Sequence, residues 1–119
     1  MGYTPIQDIL GIIRDMSAGT MGLIHGCRKL VGLIPSLPSR LADSEAALTI
    51  VGIESETDEF PIGDQRALWA PEALIRKDRE LATYVESIRE SLLAACVELE
   101  RLIMAAGLGL HPDRRDDPG

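Results

Sequence analysis

The chain has 119 residues, which is enough for one domain with its own core, because chains of this size bury about two-thirds of their unfolded surface. Apolar residues make up 45% of it but aromatic residues only 3%, so the core must consist of Leu, Ile, Val, Ala and Met, which favours helices over a sandwich or barrel. The net charge of −7 disfavours direct binding to nucleic acid, which needs clustered Lys and Arg.

The amino terminus carries no recognisable targeting signal, since no basic region precedes a long apolar run. The longest charge-free stretch, 16–27, is too short and too rich in glycine to span a bilayer. Cys27 and Cys96 lack the spacing of metal ligands, and we interpret them as free buried thiols of a reducing compartment, with a disulfide as the alternative. We therefore expect a cytoplasmic protein with no membrane partner, no metal and no cofactor.

Two helices are predicted in the first third of the chain. Thr4 and Pro5 have the residue types of an N-cap and a first helical position, and the helix that they start is interrupted around 17–19. Thr20 is predicted to cap a second helix that runs to about Leu33. Pro35, which follows, ends that helix because it cannot continue the hydrogen-bond ladder.

The short apolar run 46–51 is compatible with a third helix that begins at Asp43 or Ser44, and also with a lone strand. We predict a helix, since no second strand candidate exists to pair with it. The following residues, 52–69, are acidic and rich in turn-forming residues. We predict irregular structure there, with one helical turn around 64–69.

The strongest pattern in the chain predicts a long helix over about 70–106, which Pro71 opens and Gly107 closes. Its apolar residues recur at intervals of four and three, the spacing of a heptad seam. The seam consists of Leu81, Val85, Ile88, Leu92, Ala95, Leu99, Leu102 and Ala106. The prediction is an all-α protein: a small helical bundle over 1–106, in which this helix packs against two or three shorter ones, followed by a disordered tail at 107–119.

The length of the predicted helix has a consequence for the bundle. About 36 residues span roughly 54 Å at 1.5 Å per residue, whereas a compact domain of this size is only about 35 Å across. Either the helix kinks or one end packs on another chain. We expect a homodimer.

Most of the net charge lies in a single stretch, residues 54–64, which supplies −5 of the −7 and contains no basic residue. Its carboxylates belong to Glu54, Glu56, Asp58, Glu59 and Asp64. Arg66 follows and could pair with an acidic residue of this loop or reach a partner, the internal pair being favoured. Trp69 either closes the junction with the long helix or anchors a contact, as tryptophans do at interfaces. These seven residues are the candidate partner-binding site.

The alternation of Glu54, Glu56 and Asp58 is that of the first half of a calcium-binding loop. The second half does not follow the pattern, because Glu59 stands where the turn glycine belongs and Gln65 stands where the closing glutamate belongs. A solvated loop and a docking surface for a cationic partner both remain as interpretations.

No pattern of catalytic residues is present in the sequence. His25 has no carboxylate at helical spacing and lies beside Arg28 and Lys29, which is typical of a solvated helix face. The glutamates of the long helix alternate with Arg89 and Arg101, as in a salt-bridged surface. We therefore expect a non-enzymatic protein, and a magnesium-dependent all-α nucleotide hydrolase ranks third among the functions considered.

Part of the chain resembles a segment found in small bacterial proteins of uncharacterised function. The resemblance covers about a quarter of the chain and implies no activity. The residues that carry it are 51–58, Pro61, Gly63, Arg66, Trp69, 73–74 and 77–78. A small acidic domain without catalytic residues is also similar, by class alone, to bacterial immunity proteins, which occlude the active site of a toxin.

The sequence therefore leads to two functional hypotheses. In the first, an immunity-type inhibitor uses the acidic loop 54–64 to dock on a basic protein, such as a toxin domain. In the second, a dimeric helical scaffold or regulator uses the heptad seam as its main surface.

Overall fold

Five α-helices and two 3₁₀ turns make up the described part of the chain, which in this computed structural model covers residues 5–57, 60 and 63–108. The helices are α1 (Pro5–Ala18), α2 (Leu23–Leu33), α3 (Ser39–Ala42), α4 (Glu45–Ser55) and α5 (Pro71–Ala105). The 3₁₀ turns are Ile34–Ser36 and Gly63–Leu68. No strand occurs within the described ranges. The predicted all-α bundle with one long C-terminal helix is confirmed.

The core lies between α1, α2, α4 and the C-terminal half of α5. Its largest fully buried apolar side chains are aliphatic, as the composition requires: Ile9, Ile13, Leu30, Ile50, Leu92, Leu99 and Ile103. Each aliphatic side chain of this size stabilises the fold by about 1.5–3 kcal/mol relative to an exposed position. The bundle therefore depends on many moderate contacts.

Both cysteines are free and buried in this core, as predicted. The Cys27 thiol donates a hydrogen bond to the backbone carbonyl of Ile50, at 3.4 Å. Burial raises the pKa of Cys27 from its ordinary value of 9.0 to about 12, and the neighbouring Cys96 and Glu54 add to the effect. Burial likewise raises the pKa of Cys96 to about 12. Both thiols are therefore protonated at neutral pH and unreactive.

The first two helices meet at a tight turn. Gly19, with a φ of +84°, ends α1 in the left-handed conformation that glycine adopts most easily. The prediction that Thr20 caps α2 is wrong: its backbone N–H and its hydroxyl both bond to the Asp15 carbonyl, at 2.9 and 3.2 Å. Thr20 thus closes α1, and Gly22 occupies the N-cap of α2.

The segment 46–51 is helical rather than extended, as predicted. The Ser44 hydroxyl accepts a hydrogen bond from the Ala47 N–H at 3.2 Å and donates one to the Leu41 carbonyl at 2.7 Å, so Ser44 is the N-cap of α4. The helix continues to Ser55, and 52–55 were therefore wrongly predicted to be irregular. The short helix α3 was not predicted, because four residues are too few to show a helical period.

α5 is one uninterrupted helix of 35 residues, close to the predicted 70–106. At 1.5 Å per residue it is about 52 Å long, and it accounts for most of the 62 Å length of a molecule that is only 28 Å by 25 Å across. Its fully buried side chains all lie at residue 92 or beyond. The N-terminal part therefore extends past the buried core, and the helix is continuous over its whole length.

The heptad seam accordingly divides into two parts. Leu92 and Leu99 are fully buried, and Ile88 and Leu102 are half-buried against the same core. In the N-terminal half, Leu81 and Val85 are also half-buried but do not pack against this core, and Ile75 is 56% exposed. The C-terminal part of the seam is thus a core seam, and the N-terminal part is still available for another contact.

The C-terminal cap of α5 follows the prediction. Gly107 has a φ of +80°, and the Leu108 N–H bonds to the Ile103 carbonyl at 3.2 Å, as in a Schellman motif. Leu108 also packs against the core, so the first two residues of the predicted tail belong to the helix end. The rest of that tail, 109–119, lies outside the described residues. Over the described part of the chain, no helix has the length and apolarity needed to cross a membrane.

The contact between α1 and α2 depends on Gly26. A Cβ atom at this position would lie 2.5 Å from both Cγ and Sδ of the buried Met16 side chain, whereas a Cβ at Gly11 would meet nothing within 4 Å. We expect Gly26→Ala to destabilise the protein by about 1 kcal/mol, because overpacking outweighs the gain in helix propensity. Gly11→Ala should stabilise it by about 0.5–1 kcal/mol. Urea unfolding of both variants checks the difference in sign.

The buried thiols make the fold sensitive to alkali. Above pH 9 the unfolded chain loses its thiol protons, while the folded chain keeps them until about pH 12, so stability is complete below pH 9 and falls through this window. The loss should reach up to about 1.4 kcal/mol per pH unit for each thiol. Urea unfolding between pH 8 and 11 should show a shallower decline for Cys27→Ala/Cys96→Ala. Equal slopes in the two proteins would contradict this explanation.

Candidate functional site

The structure places the predicted acidic residues in different settings. Glu54 lies in the last turn of α4 and is half-buried, while Glu56 follows the helix and is exposed. The backbone of Asp64 belongs to the second 3₁₀ turn, so the predicted helical turn near 64–69 is confirmed. Asp58 and Glu59 lie outside the described residues. The predicted loop therefore begins at residue 56.

Thr57 fixes the start of this segment. Its side chain is fully buried, and its hydroxyl donates to the Glu54 carbonyl at 2.7 Å. From α2, the Arg28 guanidinium donates to the Thr57 carbonyl at 2.7 Å and to its hydroxyl at 3.2 Å. The cation also stands at the C-terminal end of α4, where the helix dipole favours positive charge. Arg28 is thus half-buried and structural, although the sequence placed it on a solvated face.

Glu56 is held by α5. The Tyr84 hydroxyl donates to the Glu56 carboxylate at 2.6 Å and also lies 3.3 Å from the Ile53 carbonyl. Burial, followed by the hydrogen bond to Glu56, raises the pKa of Tyr84 well above its ordinary value. The phenol is therefore a donor throughout the physiological range. Among the described residues no Lys or Arg forms a salt bridge with Glu56, so the hydrogen bond from Tyr84 holds this carboxylate in place without an ion pair.

Phe60 attaches the middle of the acidic segment to α5. Its side chain is only 4% exposed, and its ring stacks on Tyr84 with 6.4 Å between centroids. The Lys77 ammonium lies 5.6 Å from the Phe60 centroid, within the range of a cation–π contact. Lys77 also pairs with Glu80 at 3.3 Å. A small cluster of two aromatic rings and a cation therefore covers the helix here.

Arg66 attaches the end of the acidic segment to α5. Its two guanidinium nitrogens donate to the two Asp78 oxygens at 2.8 and 3.0 Å, a bidentate pair. This hydrogen bonding lowers the pKa of Asp78 and raises that of Arg66. Arg66 thus forms an internal pair, as favoured, but the predicted partner in the acidic loop is wrong, because the pair is made with Asp78 of α5. Because both side chains are well exposed, the pair fixes geometry more than it adds stability.

Trp69 stands between the second 3₁₀ turn and α5. It is half-buried, and its backbone N–H bonds to the Arg66 carbonyl at 3.2 Å. The position agrees with a residue that closes the junction. Its neighbour Leu68 is 87% exposed, the highest value among the exposed large apolar side chains that are described. An uncovered apolar side chain thus lies beside the acidic segment.

Between the segment and α5 lies an open groove of about 500 Å³. Phe60 and Tyr84 form its aromatic part, Glu56 and Glu80 supply carboxylates, and Thr83 and Arg79 complete the lining. This arrangement can bind a ligand with positive charge and a flat or extended apolar part. We call it the Glu56–Glu80 groove.

Sequence reasoning identified the acidic segment but not the residues that hold it. Arg28 lies 29 positions before Thr57, Tyr84 lies 28 positions after Glu56, and no local pattern connects them. Phe60 did offer a signal, because it is the only phenylalanine and stands within a polar run. A lone aromatic residue in such a run indicates an anchored segment.

Other charged side chains of α5 form ion pairs along the helix. Glu86 pairs with Arg89 at 3.3 Å and Glu98 pairs with Arg101 at 2.6 Å, which confirms the predicted salt-bridged face. His25 is exposed on α2, also as predicted. The part of the chain that the structure describes contains no group of three His, Cys, Asp or Glu residues able to hold a metal ion.

Comparison with known proteins returns no matching family model, no matching curated protein and no matching solved structure. Function must therefore be inferred from the chemistry of this surface.

Removal of the Thr57 hydroxyl should release the start of the acidic segment. Thr57→Val keeps the shape of the side chain but removes the donor to Glu54 and an acceptor of Arg28, and we expect a loss of about 1–3 kcal/mol of stability. Trypsin should also cut faster at Arg66 in the native state, as local opening becomes easier. Thr83→Val is the matched control, because Thr83 is exposed on α5. The interpretation fails if both variants match the wild type in urea unfolding and proteolysis.

Proposed function

We propose that this chain is a non-catalytic binding protein of the immunity type, which docks on the basic surface of a toxin domain through the acidic segment and the groove beside it. The observation that supports this function best is the way the segment is fixed. Contacts with α2 and α5 hold its start, its middle and its end, while Glu56 stays exposed.

Fixing the segment in advance favours binding because less conformational entropy is lost when a complex forms. Complementary charge raises association rates from about 10⁵–10⁶ to 10⁸ M⁻¹s⁻¹ or more at low salt. A protein that must reach a toxin quickly benefits from both effects. The local charge of −5 in 54–64 selects a basic partner, such as a nuclease site built to bind phosphate.

Affinity also requires apolar contact, since charge at the rim mainly changes the association rate. Leu68 and Ile75 are 87% and 56% exposed and lie on either side of the junction at Trp69. Buried aromatic and aliphatic anchors slow dissociation. The projecting end of the molecule therefore combines charge with exposed apolar side chains.

The second candidate is the dimeric scaffold, and the length of α5 favours it. Leu81 continues the seam toward the N-terminal end of α5 in a half-buried position, while Val85 lies beside the α1–α2 turn. Leu92 and Leu99 are committed to the intramolecular core, so a dimer would use the N-terminal half of α5 alone. The nucleotide hydrolase gains no support, because Glu86 and Glu98 are already ion-paired.

Affinity capture from the native host tests the binding function. Immobilised wild-type protein and Glu90→Gln should retain the same basic protein, and Glu56→Gln should retain at least fivefold less of it at low salt. Glu90 is the control because it is exposed on α5 outside the groove. Mass spectrometry identifies the retained protein, and raised salt should slow its association. If the amount of retained protein changes neither with Glu56→Gln nor with salt, the acidic segment is not the binding surface.

Sedimentation tests the scaffold. If α5 pairs through its projecting half, the wild type should sediment as a dimer, Ile75→Asp as a monomer and Val97→Asp as a dimer. Ile75 and Val97 have similar exposure, 56% and 53%, but only Ile75 lies in the projecting half. Leu92→Asp is unsuitable because it would place a charge in the core. A wild type that stays monomeric at high concentration rules the scaffold out.

A further inference from the structure

We infer that the Glu56–Glu80 groove is a receptor for one lysine or arginine side chain of the basic partner. The inference rests on the proposed function and names the chemistry of its central contact. The groove, of about 500 Å³, is large enough for such a side chain and open enough for it to enter from a folded protein.

The lining matches both parts of a long cationic side chain. The half-buried ring of Tyr84, which stacks on the buried Phe60 ring, offers apolar surface to the methylene stem and π-electron density to the charged head. Glu56 and Glu80 supply negative charge in the same groove, and the Thr83 hydroxyl is a further acceptor. Since the Tyr84 hydroxyl donates to one Glu56 oxygen, the other oxygen is available to a guest.

The chain already shows this mode of recognition with a cation of its own. Lys77 places its ammonium 5.6 Å from the Phe60 centroid and 3.3 Å from the Glu80 carboxylate. Lys77 lies over the Phe60 ring and is not one of the residues that line the groove. The same ring and the same carboxylate therefore attract a cation, and both line the groove together with Glu56; the two glutamates, unlike the ring, are exposed.

A long organic cation fits this lining better than a metal ion. The described residues contain no group of three carboxylates, histidines or cysteines, and a divalent cation in a protein usually has more oxygen ligands than two side chains provide. A guanidinium, in contrast, is weakly hydrated and stacks on aromatic rings while it bonds to carboxylates. The charge of −5 in the adjacent 54–64 segment also favours a cationic side chain as the guest.

Arg79 gives the inference a test of opposite sign. It is exposed and lines the same groove, so its positive charge opposes an incoming cation. Its neutralisation should therefore strengthen binding, while neutralisation of Glu80 should weaken it. A nonspecific loss of structure could not produce both effects.

The experiment uses the full-length protein and the peptide acetyl-Gly-Arg-Gly-amide, followed by ¹H–¹⁵N NMR titration. We expect millimolar binding with shifts centred on Glu56, Phe60, Thr83 and Tyr84. Glu80→Gln should weaken this binding about two- to fivefold, and Arg79→Gln should strengthen it by a similar factor. Glu72→Gln, an exposed glutamate outside the groove, should leave it unchanged.

The same peptide with citrulline in place of arginine is the ligand control, because citrulline keeps the shape but not the charge. The inference is overturned if citrulline binds equally, if the shifts spread over all acidic surfaces, or if Glu80→Gln and Arg79→Gln change affinity in the same direction. Failure here together with Glu56-dependent capture from the host would remove the groove and leave the proposed function standing. Arginine binding without Glu56-dependent capture would support the groove as a cation site and count against the proposed function.

Discussion

The length of α5 is the constraint on which the rest of the structure depends. Its 35 residues form one straight helix, because no proline or glycine interrupts it between Pro71 and Gly107. The shorter helices bury only its C-terminal half, where Leu92, Leu99 and Ile103 are fully enclosed. The N-terminal half must find its contacts elsewhere, and within the chain it finds them in the segment that follows α4. Phe60 and Arg66 provide these contacts, so the described residues of this segment are attached to an exposed helix.

This placement explains how a weakly structured sequence can present a fixed charge. Segments rich in Asp and Glu gain little from burial and tend to remain solvated. Here the cost of order is offset by a few specific contacts: the Arg28 bonds to Thr57, the Tyr84 bond to Glu56, and the packing of Phe60. The position of the Glu56 carboxylate therefore depends on how α2, α4 and α5 pack together.

The two proposed roles use the same end of the molecule. The Glu56–Glu80 groove and the half-buried Leu81 both belong to the projecting half of α5 or to the segment against it. A dimer formed there would crowd a basic partner, so binding and self-association would compete. Since stable interfaces bury about 800 Å² per partner, two large surfaces do not fit side by side on about 20 Å of helix.

The sequence by itself determined the helical class, the bounds of the long helix, its capping glycine and the position of the negative charge. These follow from local signals, namely composition, heptad spacing and the chemistry of Pro71 and Gly107. It gave the wrong role to Thr20, because a hydroxyl at a helix junction can either accept from an N–H of the next helix or donate to a carbonyl of the previous one, and local rules do not rank the two. It also placed Glu54 in a loop, because acidic residues in the last turn of a helix look the same as solvated ones. Only the tertiary structure decided which half of the seam is core and which residues hold the acidic segment. The reason is physical: the contacts of Arg28 with Thr57 and of Glu56 with Tyr84 join residues about 30 positions apart, and such pairs come together only when the packing of the apolar faces has fixed the helices relative to one another.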